Sequence, residues 1–449
     1  MRTQVFLVGT LYGAAALAAA VDAGCFEPAE QRLLLVSNNA ATPETAPPLE
    51  TAPGFARLRD RFDRVLSWNE TIRPLHPAGW SPRADDAPLW ERYLRRMWDL
   101  GDGPEDEVTL VLDTLRDEPG AAVAQLFADA PIEAFAGGLA GYGPTDGKLD
   151  PLVGTRVRRL LHLDLVPGLA PLLLSEFGVR AEPVPAEAFR AVVAGFAEEA
   201  PPAAACAPRG AAVLLGPSPS APEQSSPDEA ERLQVRMLRG LAARGHREVV
   251  LKPHPAGPAD PPRAVEKEAG ELGVALTVVD PRVPAEVLYE GMRPALVVGC
   301  CSTALLTASA LYGLPVTRAG TGTLLERLAP YESVERVPLT LVDALLPDLE
   351  DEDGSQDGSV PLPRGEPAGL VRAVGFCMQP RVLPGLRPEA ERFLAERLSP
   401  ATRRYFTRRR LTALALPGAV PRQFAFVPRN RAVRRVARRA RALKRAALG

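Results

Sequence analysis

Histidine is scarce in this chain, with four in 449 residues, and cysteine hardly commoner at five. No two cysteines are spaced Cys-x-x-Cys, and no Cys/His set has zinc spacing. The neighbours Cys300 and Cys301 make a poor disulfide, so the default is a reducing, cytoplasmic compartment. Neither Gly-x-Gly-x-x-Gly nor a Walker loop occurs, which removes the usual dinucleotide and P-loop signatures. No stretch reaches the 18 or more apolar residues of a membrane span. Arg2, the apolar residues 5–8 and the alanine run to Ala20 imitate a signal peptide. The charged flank is a single arginine, however, and Gly9 and Gly13 interrupt the apolar core, so the segment reads as a first strand–glycine–helix unit.

Proline (47) and glycine (37) are plentiful and predict many turns in a globular chain of 46% hydrophobic and 24% charged residues. The net charge of -2 hides a segregation. From Ala401 onward there are fifteen Arg and Lys and no Asp or Glu, leaving 38 basic against 55 acidic residues before it. Apolar runs predict strands at 4–8, 32–36, 64–67, 108–112 and 132–135, with helices over 14–23, 89–100, 121–127 and 156–165. Trp90, Tyr93, Met97 and Trp98 sit at core-like spacing on the second of these, and His162 reads as structural. The Pro/Ala run 201–208 is the expected hinge.

Beyond it the pattern restarts, with strands at 211–215, 249–251, 275–279, 295–298 and 314–317. Between them fall helices from Asp228 as cap, over 263–272, 284–289 and 303–312. Such alternation predicts an α/β protein with a parallel sheet in each half. The expected division is 1–200, 209–398 and a basic, helical tail 399–449, with an acidic loop at 351–365.

The most informative stretch is Val249-Val250-Leu251-Lys252-Pro253-His254-Pro255, a β-branched strand ending in a cation and a proline-flanked imidazole. The prolines hold His254 extended just past the strand, where open α/β sheets bind ligands. A second strand, Val297-Val298-Gly299, leads through Cys300-Cys301 into Ser302-Thr303 at a helix start, whose free N–H groups and dipole favour an anion. Together these residues suit a metal-independent, cofactor-free site for a phosphorylated leaving group, with the histidine donating to it. Ser302 lacks the Gly-x-Ser-x-Gly setting of a hydrolase nucleophile.

Lys252-Pro253-His254-Pro255 and Ser302-Thr303 resemble the HP and SS motifs of bacterial sialyltransferases and polysialyltransferases. The segments Val5-Phe6-Leu7-Val8, Leu34-Leu35-Val36-Ser37-Asn38-Asn39 and the loop from Gly138 to Pro144 resemble actinobacterial members of that group. The resemblance spans most of residues 3–347. It implies a GT-B-like fold, two Rossmann-like domains whose sheets face each other across a cleft. It also implies a CMP-activated sugar donor, a glycan acceptor and a role for His254 in CMP departure. The implied donor-binding set is Lys252, Pro255, Ser302, Thr303 and Gly216. One motif departs: where the family carries two acidic residues before Gly-Leu, this chain has Ala136-Gly137 ahead of Gly138-Leu139. Glu133 is the substitute expected as general base, with Asp113 and Asp146 as further carboxylates.

Two other readings stay open: a CDP-glycerol-type glycerophosphotransferase, and a degenerate CMP- or glycan-binding scaffold. The tail has too few aromatics near its arginines for a nucleic-acid module and reads as a basic amphipathic helix on an anionic, inner-leaflet membrane surface.

Overall fold

Residues 5–8, 33–36 and 108–112 are nearly unbroken apolar runs, the pattern of strands covered on both faces. The computed structural model describes residues 1–419 except 102, 104, 200–207, 219–225, 258–259 and 351–365, and places these runs at the centre of a sheet. Its strands are β1 (Arg2–Val8), β2 (Gln31–Val36), β3 (Arg64–Ser67), β4 (Glu107–Leu112), β5 (Ile132–Ala136), β6 (Val157–Leu163) and β7 (Arg180–Val184), in the order β3-β2-β1-β4-β5-β6-β7. A second sheet contains β8 (Ala212–Leu215), β9 (Glu248–Lys252), β10 (Ala275–Val278), β11 (Val297–Gly299) and β12 (Val316–Arg318), ordered β10-β9-β8-β11-β12. Every neighbouring pair is parallel. This is the two-domain, Rossmann-like α/β architecture expected. Each sheet reverses strand order once, between β1 and β4 and between β8 and β11, and such switch points open a crevice at the carboxyl ends.

Local chemistry explains most boundaries. Thr10 caps the helix Leu11–Asp22 through its hydroxyl, and eight of that helix's residues, mostly alanines, are buried against the sheet. The helix Pro227–Ala243 starts at Ser226, not at the expected Asp228. Ser226 and Glu229 form a reciprocal capping box, and Pro227 fits the first helical position. The expected helix over 156–165 is instead β6. Its arginine pair gave the run a helix-like polarity, but Arg159 is drawn into the sheet by a carboxylate on each flank, Glu133 of β5 and Glu182 of β7. His162, buried as expected, lies in that strand with its ring edge-on to Tyr142. Of the aromatic set, Trp98 is buried and Tyr93 is exposed.

The two domains share one continuous apolar core. The helix Ala186–Ala197 packs on both the helix Leu11–Asp22 of its own domain and the helix Ala285–Met292 of the other. Glu366–Met378 reaches back to the first domain, with Gly375 against Leu172 and Pro144. The basic segment does not detach at 399. Tyr405, Phe406, Leu411 and Leu416 are buried, the Tyr405 hydroxyl donates to Asp343 at 2.9 Å, and Arg404 lies 3.1 Å from the same carboxylate. The hinge expected at 201–208, the acidic loop 351–365 and the tail from 420 onward lie essentially outside the described residues. No helix among the described residues is long and apolar enough to cross a membrane.

Candidate active site

Because β8 lies between β9 and β11, the residues following these three strands converge at one edge. Gly216 follows β8, Pro253 and His254 follow β9, and Cys300 to Ser302 follow β11. The Gly216 N–H donates to the Lys252 carbonyl at 2.9 Å. A Cβ on Gly216 would stand 3.2 Å from Pro253 Cα and 3.3 Å from His254 N, so a side chain there would push directly on the histidine turn.

Lys252 is 4% exposed and its ammonium donates to the Pro253 carbonyl and, at 2.9 Å, to the Pro281 carbonyl. Burial pushes it down to about 8, against the opposing pull of Glu286 and Asp280. It therefore acts on the loop itself, tying the His254 turn to the turn after β10. Pro255 is exposed on the outside of that turn.

His254 is half-buried, and its Nδ1 accepts the Ala256 N–H at 3.2 Å. Only a bare nitrogen can accept, so the neutral ring carries its proton on Nε2. Burial, and then the Lys252 ammonium, hold the imidazole below its ordinary value. The residue is thus a neutral ring at neutral pH, presenting an Nε2–H donor.

Ser302 caps the helix Thr303–Tyr312, its hydroxyl accepting the Ala304 N–H at 3.2 Å. The Thr303 hydroxyl accepts the Leu139 N–H at 3.3 Å, from the loop after β5 of the other domain. A Cβ on Gly138 would lie 3.1 Å from that hydroxyl oxygen. The helix start and the post-β5 loop of the first domain therefore touch. Tyr12 anchors that loop by donating to the Gly137 carbonyl at 3.0 Å.

The sequence matches the family model described as alpha-2,8-polysialyltransferase over residues 4–321. The chain belongs to that family. Among solved structures, this alpha-2,8-polysialyltransferase family member is similar to the UDP-GlcNAc 2-epimerase from Methanocaldococcus jannaschii, at 13% identity over 71% of this chain and 83% of that one, TM-score 0.40. It is also similar to a ugt transferase from Siraitia grosvenorii in complex with UDP, at 13% identity over 89% and 100%, TM-score 0.41. A third is Acinetobacter baumannii MurG, at 11% identity over 87% and 94%, TM-score 0.38. No curated protein matches the chain. The family supports glycosyl transfer as the class of activity.

Within this polysialyltransferase family member, the expected site residues Gly216, Lys252, His254, Ser302 and Thr303 lie at the carboxyl ends of neighbouring strands, while Glu133 does not. It lies in the amino-terminal half of β5, 6% exposed, with Arg159 at 2.6 Å. That arginine also binds the Cys25 carbonyl beyond the helix Leu11–Asp22, at the amino edge of the sheet. The expectation for Glu133 is corrected on these grounds: it is an ion-paired sheet residue on the side away from the crevice. Asp146 is likewise engaged, by Arg116 and Gln379.

Asp113 differs from both. It directly follows β4 at the switch point, solvent reaches its carboxyl, and no ion pair holds it among the described residues. Protein packed around it still costs the charged form hydration and pushes it up to about 6.

One buried carboxyl next to Lys252 escaped the sequence reading altogether. Glu286, in the first turn of the helix Ala285–Met292, resembles an acid placed there to complement the helix dipole. It is instead 3% exposed beneath the site, with Lys252, Thr307 and Tyr12 around it, and burial pushes its carboxyl up to about 7. Its helical position carries no signal for this, since the burial comes from groups distant in sequence, Lys252 and Thr307 of its own domain and Tyr12 of the other.

Proposed function

We propose that the protein transfers sialic acid or a related acidic sugar from a CMP-activated donor to a glycan acceptor, in the crevice between its two sheets. The observation that carries this reading is the His254 tautomer. A neutral imidazole with its proton on Nε2 can donate to the phosphate oxygen that leaves with the bonding electron pair, without first acquiring a proton from water. Ser302 and Thr303, at a helix start, would hold that phosphate through hydroxyl and backbone N–H groups. Lys252 acts in this reading by fixing the His254 turn, and Gly216 by leaving room for it. Pro255 contributes by keeping the turn extended.

The division of labour follows the sheets: the second domain holds the nucleotide, and the first receives the acceptor. Arg404 and Arg410 are held by Asp343 and Glu332, so the basic residues from Arg422 onward are the ones that then lie against an anionic membrane surface at the inner face of the cell, each contributing about 1 kcal/mol near the surface.

The test is direct. Purified protein is given CMP-sialic acid and a sialylated oligosaccharide, and released CMP and elongated product are measured. CDP-glycerol serves as the competing donor. Release of CMP from CDP-glycerol, with none from CMP-sialic acid, would replace the proposal with glycerophosphate transfer.

One observation favours a second reading. The acidic pair that the family resemblance implies is absent at Ala136-Gly137. If CMP binds in calorimetry but neither donor is consumed, the protein is a binding scaffold.

A further inference from the structure

The post-β5 loop lacks its carboxylates, and at position 137 a side chain would meet aromatic rings. A Cβ on Gly137 would stand 2.9 Å from the Phe135 ring and 3.3 Å from that of Tyr12. A Cβ on Gly141 would stand 2.6 Å from the Ala136 methyl, so the loop closes over Ala136 only because position 141 is a glycine. At Gly138 a Cβ would meet the Thr303 hydroxyl at 3.1 Å. An attacking hydroxyl still needs a base within hydrogen-bond reach.

Few acids stand at the carboxyl edge of the first sheet. β1 is followed by Gly9-Thr10, β2 by Ser37-Asn38-Asn39, β5 by Gly137-Gly138 and β7 by Pro185. After β3 the first acid is Glu70, exposed in the helix Trp68–Ile72 and 3.5 Å from Arg73. Two strands end directly in an aspartate, Asp113 after β4 and Asp164 after β6. Only β4 borders the switch point, where the crevice opens; β6 lies beyond β5 on the far side. Asp113 continues the register Val111↔Glu133 and Leu112↔Ala134, which puts it level with Phe135. Its backbone is one strand spacing, about 5 Å, from the strand whose loop touches Thr303.

We propose that Asp113 is the catalytic base of this glycosyltransferase, taking over from the post-β5 motif. The inference rests on the glycosyl-transfer reading above. In the step, the Asp113 carboxylate takes the proton of the acceptor hydroxyl, and that oxygen's electron pair forms the bond to the anomeric carbon. The bond from this carbon to the CMP phosphate oxygen breaks, its pair leaving on the phosphate, where the His254 Nε2–H donates. Although solvent reaches its carboxyl, the protein packed around Asp113 pushes it up to about 6, and this supports the role beside the geometry, because such a carboxylate accepts a proton more readily than one at the ordinary value.

The experiment compares Asp113→Asn and Asp113→Ala with wild type in transfer from CMP-sialic acid, in CMP affinity by calorimetry and in melting temperature. Transfer should fall by about 10²- to 10⁴-fold in kcat in both variants. CMP affinity and melting temperature should hold, and formate should restore part of the rate to Asp113→Ala but not to the isosteric Asp113→Asn. Transfer by Asp113→Asn within threefold of wild type overturns the proposal. So does unfolding or lost CMP binding in both variants, which would make Asp113 structural. A wild type that transfers nothing sinks the glycosyl-transfer reading itself, a separate outcome from an active wild type with an active Asp113→Asn.

Discussion

The two sheet edges that meet at Thr303 are built on opposite plans. On the second domain's side, side chains carry the chemistry and the backbone immobilises them. Lys252 clamps the turn through two carbonyls, Ala256 fixes the His254 tautomer, and Ser302 caps its helix. On the first domain's side, the loop after β5 presents backbone. Gly137 offers a carbonyl to Tyr12, Leu139 offers its N–H to Thr303, and glycines let both come close. A side chain can be exchanged for another of similar reach, but a backbone contact depends on what is absent. The donor edge should therefore be sensitive to removing atoms, and the post-β5 loop to adding them.

The largest expected effect comes from removing the His254 ring. His254→Ala should lower kcat for transfer by about 10²- to 10⁴-fold, the range for a lost proton-handling group. His254→Gln sharpens the point. Its amide N–H reaches near the Nε2 position, so a role as neutral donor predicts clearly more residual activity than in His254→Ala. Equal losses would mean that a proton is transferred from the ring, and the tautomer argument would fall.

Next in size is the polar group beneath the donor edge. The Glu286 carboxyl stands at about 7 in the folded protein against an ordinary 4.5, with burial the main cause. Its folded value is raised, so the associated stability is fully present below about 4.5 and is lost as pH rises through about 7. Glu286→Gln removes this dependence. Relative to wild type it should gain up to about 3 kcal/mol between pH 4.5 and pH 8, a figure from which the Lys252 attraction is already deducted. Thermal unfolding at several pH values reads this directly, and a variant-minus-wild-type difference that stays flat with pH would refute it.

How much of this was legible in the sequence also divides along the two edges. Lys252-Pro253-His254-Pro255 and Ser302-Thr303 were legible because prolines and hydroxyls at strand ends act through local backbone geometry, which sequence spacing encodes. The helices Arg263–Leu272 and Thr303–Tyr312 were placed to the residue for the same reason, as was the glycine stop at Gly313. Glu133 was misread because its partner, Arg159, is supplied by a strand that itself looked helical. Glu286 passed unnoticed because its burial arises between domains. Asp113 stood out as a single aspartate only once the strand order placed β4 beside the switch point.

The smallest effect, and the sharpest test of the contrast, is one methyl group added to either edge. Gly216 has no unusual φ, so its requirement is space alone: the atoms 3.2–3.4 Å from its missing Cβ are all backbone, Pro253 Cα, His254 N and the Lys252 carbonyl oxygen. Backbone pinned by Lys252 cannot give way, and overpacking of this kind costs about 1–3 kcal/mol. In Gly138→Ala the neighbour at 3.1 Å is the Thr303 hydroxyl, a side-chain atom that can rotate away at the expense of its bond from Leu139. That bond contributes about 0.5–1.5 kcal/mol. Gly216→Ala should therefore weaken CMP binding and displace the His254 turn. Gly138→Ala should leave CMP binding nearly unchanged and lower transfer by about threefold to tenfold, as the two edges part. Calorimetry with CMP, set beside transfer rates for the two variants, separates these outcomes. If both variants lose CMP binding equally, the post-β5 loop belongs to the nucleotide site and the two edges act as one.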